Sequence, residues 1–338
     1  MSVKVGINGM GRIGKVALRA ITEMGEPFEV VGLNIRNVEM DYIIYMLKYD
    51  TVFGRFNAEL GTYDGGIIIN GKKIPVFSES EADQIPWASV GAEYIIEATG
   101  AYLTTEKCEG HLKAGAKKVV ISAPAKDDTP MFVYGVNNDQ YKPEMKVVSA
   151  ASCTTNCLAP MCKVLNDNWG IEQGLMSTVH ASTSKQKTVD GKSPKDWRAA
   201  RSVYGNIIPS TTGAAKAVGK VIPDVKGKMT GLSFRIPAAD ASVVDLNVML
   251  KKPASLAEIN AKMKEAAEGP LKDVLLYCDD EVVSSDFIGE SHPSCYDARM
   301  GIELNDKFFK LLSFYDNEWG YTCNLIRLLG YMAEVDAK

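Results

Sequence analysis

A short strand-like run, Val3 to Asn8, passes directly into Gly9-Met10-Gly11-Arg12-Ile13-Gly14 and then into an amphipathic stretch from Lys15 to about Met24. A break at Gly25-Glu26-Pro27 follows, and a second apolar run extends from Glu29 to Asn34. Hydrophobic periodicity and breakers of this kind predict a β-α-β unit, and such a unit closes only as part of a parallel sheet. A glycine-rich turn alone is a weak signal. Placed between a strand and a helix it becomes a phosphate cradle: the first glycine permits the tight turn, the second admits a pyrophosphate to the backbone, and the third lets helix and strand pack closely. The turn Gly9, Gly11, Arg12, Ile13 and Gly14 is therefore expected to bind a dinucleotide.

Further strand candidates lie at Tyr94 to Glu97, Lys118 to Ser122, Phe132 to Val136 and Lys146 to Ser149, with a helix between about Thr105 and Ala114. This half reads as an α/β, Rossmann-type doubly wound parallel sheet domain. Beyond about residue 153 the pattern changes. A helix beginning near Ser152 leads to strands Gly174 to His180, Met229 to Ile236, Val243 to Leu250, Val274 to Cys278 and Lys307 to Tyr315. Leu246, Val248 and Leu250 alternate with Asp245, Asn247 and Met249, as in a sheet with one buried face. Ser255-Leu256-Ala257-Glu258 forms a capping box that opens a helix to about Glu268. The second half thus reads as an α+β domain with a mainly antiparallel sheet. Ser182 to Tyr204 is polar and aperiodic, and a loop that long belongs to a functional site or an interface.

Composition narrows the function. The 338 residues carry 38 Lys+Arg against 42 Asp+Glu, a net charge of −4, so there is no global basic field and nucleic acid is not indicated. No apolar run approaches the roughly 18 residues that span a bilayer, and Met-Ser-Val-Lys-Val is no signal-peptide core. A soluble, cytoplasmic protein is expected. Seven scattered Cys without a CxxC pair and three separated His predict neither a disulfide framework nor a metal site.

At the end of the second strand, NAD sites usually present a carboxylate to the ribose 2′-hydroxyl, whereas this sequence reads Asn34-Ile35-Arg36. Ile35 removes the repulsion that excludes a 2′-phosphate. Two readings stay open: Arg36 pairs with that phosphate, or it points to solvent while Asn34 supports NAD. NAD or NADP is therefore the expected cofactor.

The sharpest local feature is Ser152-Cys153-Thr154-Thr155-Asn156-Cys157 at a helix start. Helix amides and dipole there are expected to lower the Cys153 pKa and favour the thiolate nucleophile. Cys157, one turn on, is expected to pack inward. His180, at a strand end before the polar loop, is the histidine placed to meet Cys153, and His111 and His292 read as surface or structural.

VKVGINGMGRIGK, SCTTNCLAP, TVHASTSKQKTVDG, NIIPSTTGAAKAVGKVIP and SFYDNEWGY together resemble the signature blocks of the phosphorylating glyceraldehyde-3-phosphate dehydrogenases, over Val3 to about Ala333. The resemblance implies a cofactor domain at 1–152 with a C-terminal helix, 317–338, returning to it, and a catalytic domain at 153–316. It implies that Cys153 attacks the aldehyde carbon, that His180 takes up the hydroxyl proton as hydride leaves, and that inorganic phosphate then attacks a thioester. The Cys153 amide and the His180 ring would stabilise the oxyanion. By the same likeness Thr183 and Arg235 hold the substrate phosphate, Arg201 is shared between phosphates, and Ser152, Thr154, Thr212 and Gly213 receive the attacking phosphate. Asn317 would bond the nicotinamide amide, with Tyr321 beside it, and Ser122 would lie in the cofactor groove. The resemblance also implies a homotetramer in which the Ser182 to Tyr204 loop meets a neighbouring subunit.

Departures from the pattern fall mainly at the adenosine end, with Ile35 in place of the usual Asp and Ser80 where many members have Arg. Lys185 stands beside the substrate-phosphate residues, either as an added phosphate charge or at a subunit boundary. No functional account attaches to Ala150, where Asn is common. Two alternatives to the leading function remain: an erythrose-4-phosphate dehydrogenase with the same mechanism, and a non-catalytic dinucleotide-binding interaction protein.

Overall fold

The computed structural model describes residues 2–25, 27–194 and 196–338. The chain divides into two compact units, the first comprising Met1–Phe132, Asn138–Ala151 and Leu325–Lys338, the second Val133–Asn137 and Ser152–Asn324.

In the first unit the elements follow the order β1 Val3–Asn8, α1 Arg12–Met24, β2 Phe28–Asn34, α2 Met40–Lys48, β3 Leu60–Tyr63, β4 Gly66–Ile69, β5 Lys72–Phe77, α3 Trp87–Val90, β6 Tyr94–Glu97, α4 Thr105–Lys113, β7 Lys118–Ile121 and β8 Val147–Ser149. They build an eight-stranded sheet in the order β3-β4-β5-β2-β1-β6-β7-β8. From β5 to β8 every pairing is parallel. Chain order reverses direction across the sheet on either side of β1, and the crevice outside the carboxyl ends of strands at such a switch point is where this class of sheet binds ligands. The buried face of α1 is Val16, Ala17, Leu18, Ala20 and Ile21. Trp87 lies fully buried in a cluster with Ile85, Ile95, Cys108, Val119 and Ile121, its ring edge-on to Phe77 at 6.1 Å between centroids.

In the second unit come α5 Cys153–Trp169, β9 Ile171–Ala181, β10 Ile208–Thr211, α6 Ala214–Val221, β11 Met229–Ile236, β12 Ser242–Leu250, α7 Leu256–Glu268, β13 Leu275–Cys278, β14 Ser294–Asn305 and β15 Phe308–Tyr315. Its seven-stranded sheet runs β10-β11-β9-β12-β15-β14-β13. Pairing is antiparallel except for β11 with β9 and β13 with β14. Along β12 the side chains alternate in burial, with Val244, Leu246, Val248 and Leu250 inside, as the sequence predicts. Ser255 caps α7 in a full capping box with Glu258. A last helix, α8 Trp319–Asp336, ends on Asp336, whose carboxylate accepts from Tyr94 Oη at 2.8 Å and Tyr141 Oη at 2.9 Å and pairs with Lys118 at 3.3 Å.

Several elements differ from the sequence reading. Helix α1 starts at Arg12, three residues before Lys15, because Lys15 N–H already bonds Gly11 O at 3.0 Å. Phe132 to Val136 is a turn and not a strand: Val136 N–H bonds Val133 O, Asn137 Oδ1 accepts from Val133 N–H, and Gly135 sits at φ 85°. The antiparallel meander β3-β4-β5, helix α2, and strands β10 and β14 have no counterpart in the sequence reading. Asn70 and Gly71, both at positive φ, make the tight turn between β4 and β5.

Candidate active site

The turn from β1 into α1 is shaped by backbone. Gly9, at φ 94°, leaves β1 and passes so close to Ala98 and Thr99 that a Cβ there would lie 2.8 Å from the Thr99 methyl. On Gly14 a Cβ would fall 1.8 Å from Gly9 O, so the third glycine is demanded by packing. Gly11 is different. Its φ of −70° suits any residue, and a Cβ there would meet nothing within 4 Å. Protein packing does not explain this glycine. Arg12 bonds Asp50 and lies over the Phe53 ring at 5.1 Å, which pulls the Asp50 carboxyl down to about 2 against the cost of its burial. Ile13 opens the same helix.

Asn34 is tied into the fold. Its amide donates to Asn8 Oδ1 at 2.8 Å and Glu79 O at 3.1 Å, and its Oδ1 accepts from Glu79 N–H at 2.9 Å. Ile35 N–H bonds Phe77 O, and Arg36 is exposed. Nearby, Tyr102 Oη bonds Ser80 O at 3.2 Å. Ser122 Oγ donates to Glu97 O at 2.9 Å, just past β7.

In the second unit, Ser152 caps α5, its hydroxyl accepting from Thr155 N–H at 3.1 Å. Cys153 is the first helical residue, and His180 comes to it from the end of β9, with Nε2 at 3.5 Å from Sγ. His180 is 3% exposed and stands edge-on to the Tyr315 ring. Tyr315 Oη, fully buried, lies 2.8 Å from Thr154 Oγ1 and 2.9 Å from Thr178 Oγ1. The Thr154 hydroxyl is therefore directed inward to Tyr315. This Tyr315-Thr154-Thr178 frame, which fixes both α5 and β9 beneath the reactive pair, was not read from sequence. Its signal was Tyr315 itself, inside the SFYDNEWGY block.

Arg235 and His180 are register partners in the parallel β9/β11 pair. The guanidinium Nη1 lies 2.8 Å from His180 Nδ1 and 3.3 Å from Ala181 O. Burial and then the Arg235 charge push the imidazole down to about 3, against the Ala181 carbonyl, which raises it. Burial raises the Cys153 thiol, and the Arg235 charge, the Thr154 hydroxyl and amide, and the Cys153 amide oppose that rise. The net direction is upward, opposite to the acidification expected from the helix start, because local sequence carries no information about desolvation. Cys157 packs inward as expected, its thiol directed to Ser313 O.

The remaining expected residues have the following partners. Thr183 N–H and Oγ1 both reach Gln186 Oε1 at 3.0 Å. Thr212 and Gly213 precede α6, and Thr212 Oγ1 accepts from Ala214 N–H. Asn317 is buried, and its Oδ1 accepts from Ser242 Oγ at 2.6 Å; Ser242 Oγ in turn accepts from Ala181 N–H at 3.0 Å. Asn317 is thereby linked through one serine to the residue after His180. Tyr321 is buried in the first turn of α8. Arg201 stands apart: it pairs with Asp190 at 2.8 Å on the polar loop, with its side chain 61% exposed. Among the described residues no cluster of His, Cys, Asp and Glu could hold a metal ion.

A glycine-cradled parallel sheet and a thiol beside an imidazole fit the class of NAD-dependent oxidoreductases. The comparisons give the family within that class. Residues 3–105 match the NAD binding domain of glyceraldehyde 3-phosphate dehydrogenase and residues 152–317 match its C-terminal domain. The chain is 57% identical over 333 residues to glyceraldehyde-3-phosphate dehydrogenase 2 of Drosophila pseudoobscura pseudoobscura, covering 98% of this chain and 99% of that protein. It is 55% identical over 337 residues to glyceraldehyde-3-phosphate dehydrogenase 2 of Mucor circinelloides f. lusitanicus, covering 100% and 99%. To the glyceraldehyde-3-phosphate dehydrogenase of Schizophyllum commune it is 55% identical over 336 residues. The chain belongs to the glyceraldehyde-3-phosphate dehydrogenase family.

Proposed function

We propose that the protein oxidises D-glyceraldehyde 3-phosphate to the acyl phosphate with NAD and inorganic phosphate, through a Cys153 thioester, as a step of sugar catabolism. The observation that carries this reading is the Cys153 Sγ to His180 Nε2 approach at 3.5 Å within the matched C-terminal domain. Cys153 Sγ gives its proton to His180 Nε2 as it attacks the aldehyde carbon, the carbonyl pair moves to oxygen, and that oxygen, held by the Cys153 amide, takes the proton from the His180 ring to become a hydroxyl. His180 Nε2 then takes the hydroxyl proton as the carbon is oxidised. When bound, the nicotinamide supplies the hydride acceptor. Phosphate attack on the resulting thioester releases the Cys153 sulfur and keeps the oxidation energy in an acyl phosphate.

Two anions are needed beside one carbon. We assign the substrate phosphate to Thr183 and Arg235, the attacking phosphate to Ser152, Thr154, Thr212 and Gly213 at the starts of α5 and α6, and Arg201 to a position between them. Amides and guanidinium forks suit both tasks. Because the Ser152 and Thr154 hydroxyls are already engaged in the fold, their share is carried by backbone amides.

Residues 1–152, with 317–338, are assigned to the cofactor and 153–316 to the chemistry. The Gly11 cradle and the open first turn of α1 fit a pyrophosphate. Gly9, Arg12, Ile13, Gly14 and Ser122 line that end, Asn317 and Tyr321 the nicotinamide end. NADP is accepted beside NAD, since Ile35 presents no carboxylate and Arg36 is exposed and free to meet a 2′-phosphate; Asn34, held by Asn8 and Glu79, acts by shaping the strand end. Initial rates with each cofactor test this, and a strict NAD requirement would remove Arg36 from the site. Exposed Trp197, Tyr204, Ile207, Met300, Ile302 and Leu304 support assembly as a homotetramer. Seven free cysteines support a reducing, cytoplasmic location. Among the described residues no helix is long and apolar enough to cross a membrane.

The test is steady-state oxidation of glyceraldehyde 3-phosphate against erythrose 4-phosphate, each with and without phosphate. Preference for the three-carbon aldehyde with phosphate-dependent turnover is expected. The reverse preference, or turnover independent of phosphate, overturns the reading.

A further inference from the structure

Asp240, on the turn between β11 and β12, is a carboxyl buried without a proper donor. It is 4% exposed, and neither of its oxygens makes a well-formed hydrogen bond among the described residues. The Ala241 amide acts on it only weakly, and the carboxyl of fully buried Asp316, itself an acceptor, meets it at hydrogen-bonding range. Two carboxylates in such contact and out of water repel, so the pair is stable when it holds a proton. The proton falls to Asp240. Asp316 already accepts three backbone N–H groups, those of Glu318 at 2.8 Å and Trp319 at 2.7 Å on Oδ1 and that of Gly289 at 2.8 Å on Oδ2, which favours its ionised form. Burial raises Asp316 as well, but these amides and Asp240 oppose the rise. At Asp240, burial and the negative charges of Asp316 and Glu318 all act upward.

The pair sits beside the residue assigned to the nicotinamide. Asp316 closes a turn over Asn317, since its Oδ1 reaches past that residue to the amides of Glu318 and Trp319. Ser242, two residues after Asp240, is the register partner of Tyr315 in the β12/β15 pair. Its Oγ accepts from Ala181 N–H, so its own hydrogen goes to Asn317 Oδ1 at 2.6 Å. That bond orients the Asn317 amide and leaves the Nδ2 hydrogens for another acceptor. Asp240 with Asp316 and Ser242 with Asn317 are thus adjacent rungs between the same two segments. Between the rungs Ala241 stands at φ 60°, a conformation costly for a residue with a Cβ. The turn is anchored by Ser182, whose N–H and Oγ both reach Ala238 O at 3.0 Å.

We infer that Asp240 is a positioning residue for Asn317: it donates a hydrogen bond to Asp316, and that bond keeps the 316–319 turn where Asn317 can bond a nicotinamide amide. The inference rests on the assignment of Asn317 to the nicotinamide and deepens it. As pH rises, the shared proton passes to hydroxide, giving water, and two buried carboxylates are left in contact. Asp316 keeps its amide donors, so the repulsion is relieved by parting the two turns, which pulls Asn317 against Ser242. The other titratable groups facing the pair are Glu318 on the same turn, the Glu290 and His292 pair on the segment that supplies Gly289, and Cys295 on β14. The His292 hydrogen bond holds Glu290 down at about 2, and burial raises Cys295, so neither of these two changes charge in the alkaline range.

The test is calorimetric binding of NAD and of ADP-ribose, which lacks the nicotinamide, to full-length wild type, Asp240→Asn and Asn317→Ala at about pH 7 and about pH 10. The amide of Asp240→Asn donates to Asp316 at every pH, so it and wild type should bind NAD alike at the lower pH. The Asp240 carboxyl is pushed up to about 9, first by burial. At the higher pH wild type should therefore bind NAD at least about fivefold more weakly than Asp240→Asn, with ADP-ribose bound equally by both. Asn317→Ala should weaken NAD alone, and adding Asp240→Asn to it should change nothing further at either pH. Difference infrared spectra of wild type should show a carboxylic-acid C=O band at the lower pH that is gone at the higher and absent from Asp240→Asn. Equal NAD affinities of wild type and Asp240→Asn at the higher pH, or a difference that ADP-ribose shares, overturn the positioning role and leave the nicotinamide assignment standing. Absence of the infrared band from wild type at the lower pH overturns the shared proton without recourse to a variant. Asn317→Ala binding NAD as wild type does overturns the assignment and the inference together.

Discussion

His111 in the first unit and His180 in the second are buried almost equally, at 0% and 3% exposure, yet their surroundings are opposite in kind. At His111, Trp87 Nε1–H reaches Nδ1 at 3.0 Å, which leaves the ring proton to Nε2, and Nε2 faces Glu97 Oε2 at 3.0 Å with the Asn8 amide nitrogen farther off at 3.4 Å. Glu97 in turn is held by Asn8, Thr99 N–H and the Thr99 hydroxyl. The Trp87 donor fixes the tautomer of that ring. At His180 two groups compete for Nδ1 and the other nitrogen faces a thiol. Burial is common to both, so burial does not mark function. An imidazole whose proton has more than one place to go does.

The comparison can be broken by exchanging stability against activity. Cys153→Ala should lower kcat by on the order of 10⁴ or more, as nucleophile removal does elsewhere, and His180→Asn by about 10² to 10⁴, with chemical denaturation showing little change in folding free energy for either. A small loss of rate in His180→Asn would make that ring structural. His111→Leu should act the other way. It strands the Trp87 donor and the Glu97 carboxylate inside the protein, at about 1–3 kcal/mol for each buried unpaired group and more for a charged one. Urea unfolding should therefore show a loss of about 3 kcal/mol, and a variant as stable as wild type would contradict the network.

A third buried group sharpens the contrast. Asp240, beside Asp316 and Glu318, has its carboxyl pushed up to about 9, first by burial and then by those negative neighbours. The folded state thus holds a proton that the unfolded chain releases above about pH 4. Its contribution to stability must fall as pH rises from about 4 to about 9 and level off above, since the native form binds more protons across that window. Asp240→Asn should remove this slope, giving a variant whose melting temperature exceeds that of wild type at alkaline pH and meets it near pH 4. Identical pH profiles would place the Asp240 charge in solvent. The smallest effect is expected far from either histidine: Ser255→Ala, which breaks the α7 capping box, should cost about 1 kcal/mol with kcat unchanged.

What could be read from sequence follows from which forces are local. Gly9, Gly11 and Gly14 declare themselves because a turn between strand and helix needs them in order, and the alternation along β12 is visible because one face is buried. The meander β3-β4-β5 was legible in principle, since Asn70-Gly71 is a strong hairpin dipeptide, but three consecutive isoleucines at 67–69 obscure the period-2 pattern around it. Phe132 to Val136 has the composition of a strand, but Asn137 and Gly135 close it into a turn, and a Cβ on Gly135 would fall 2.8 Å from the Val274 side chain. At the site, Cys153 and His180 could be paired through their motifs. The meeting of Arg235 with His180 depends on the register of β9 against β11 across 55 residues, and the rise in the thiol depends on what buries it. Neither quantity is written in any local window.

The most direct measurement of the central claim is a rapid-mixing experiment with NAD and glyceraldehyde 3-phosphate, first without phosphate and then with it. A thioester on Cys153 predicts a burst of reduced cofactor approaching one equivalent per subunit without phosphate, a stalled steady state, and continuous turnover once phosphate is added. Continuous turnover without phosphate, or a full burst from Cys153→Ala, would contradict it.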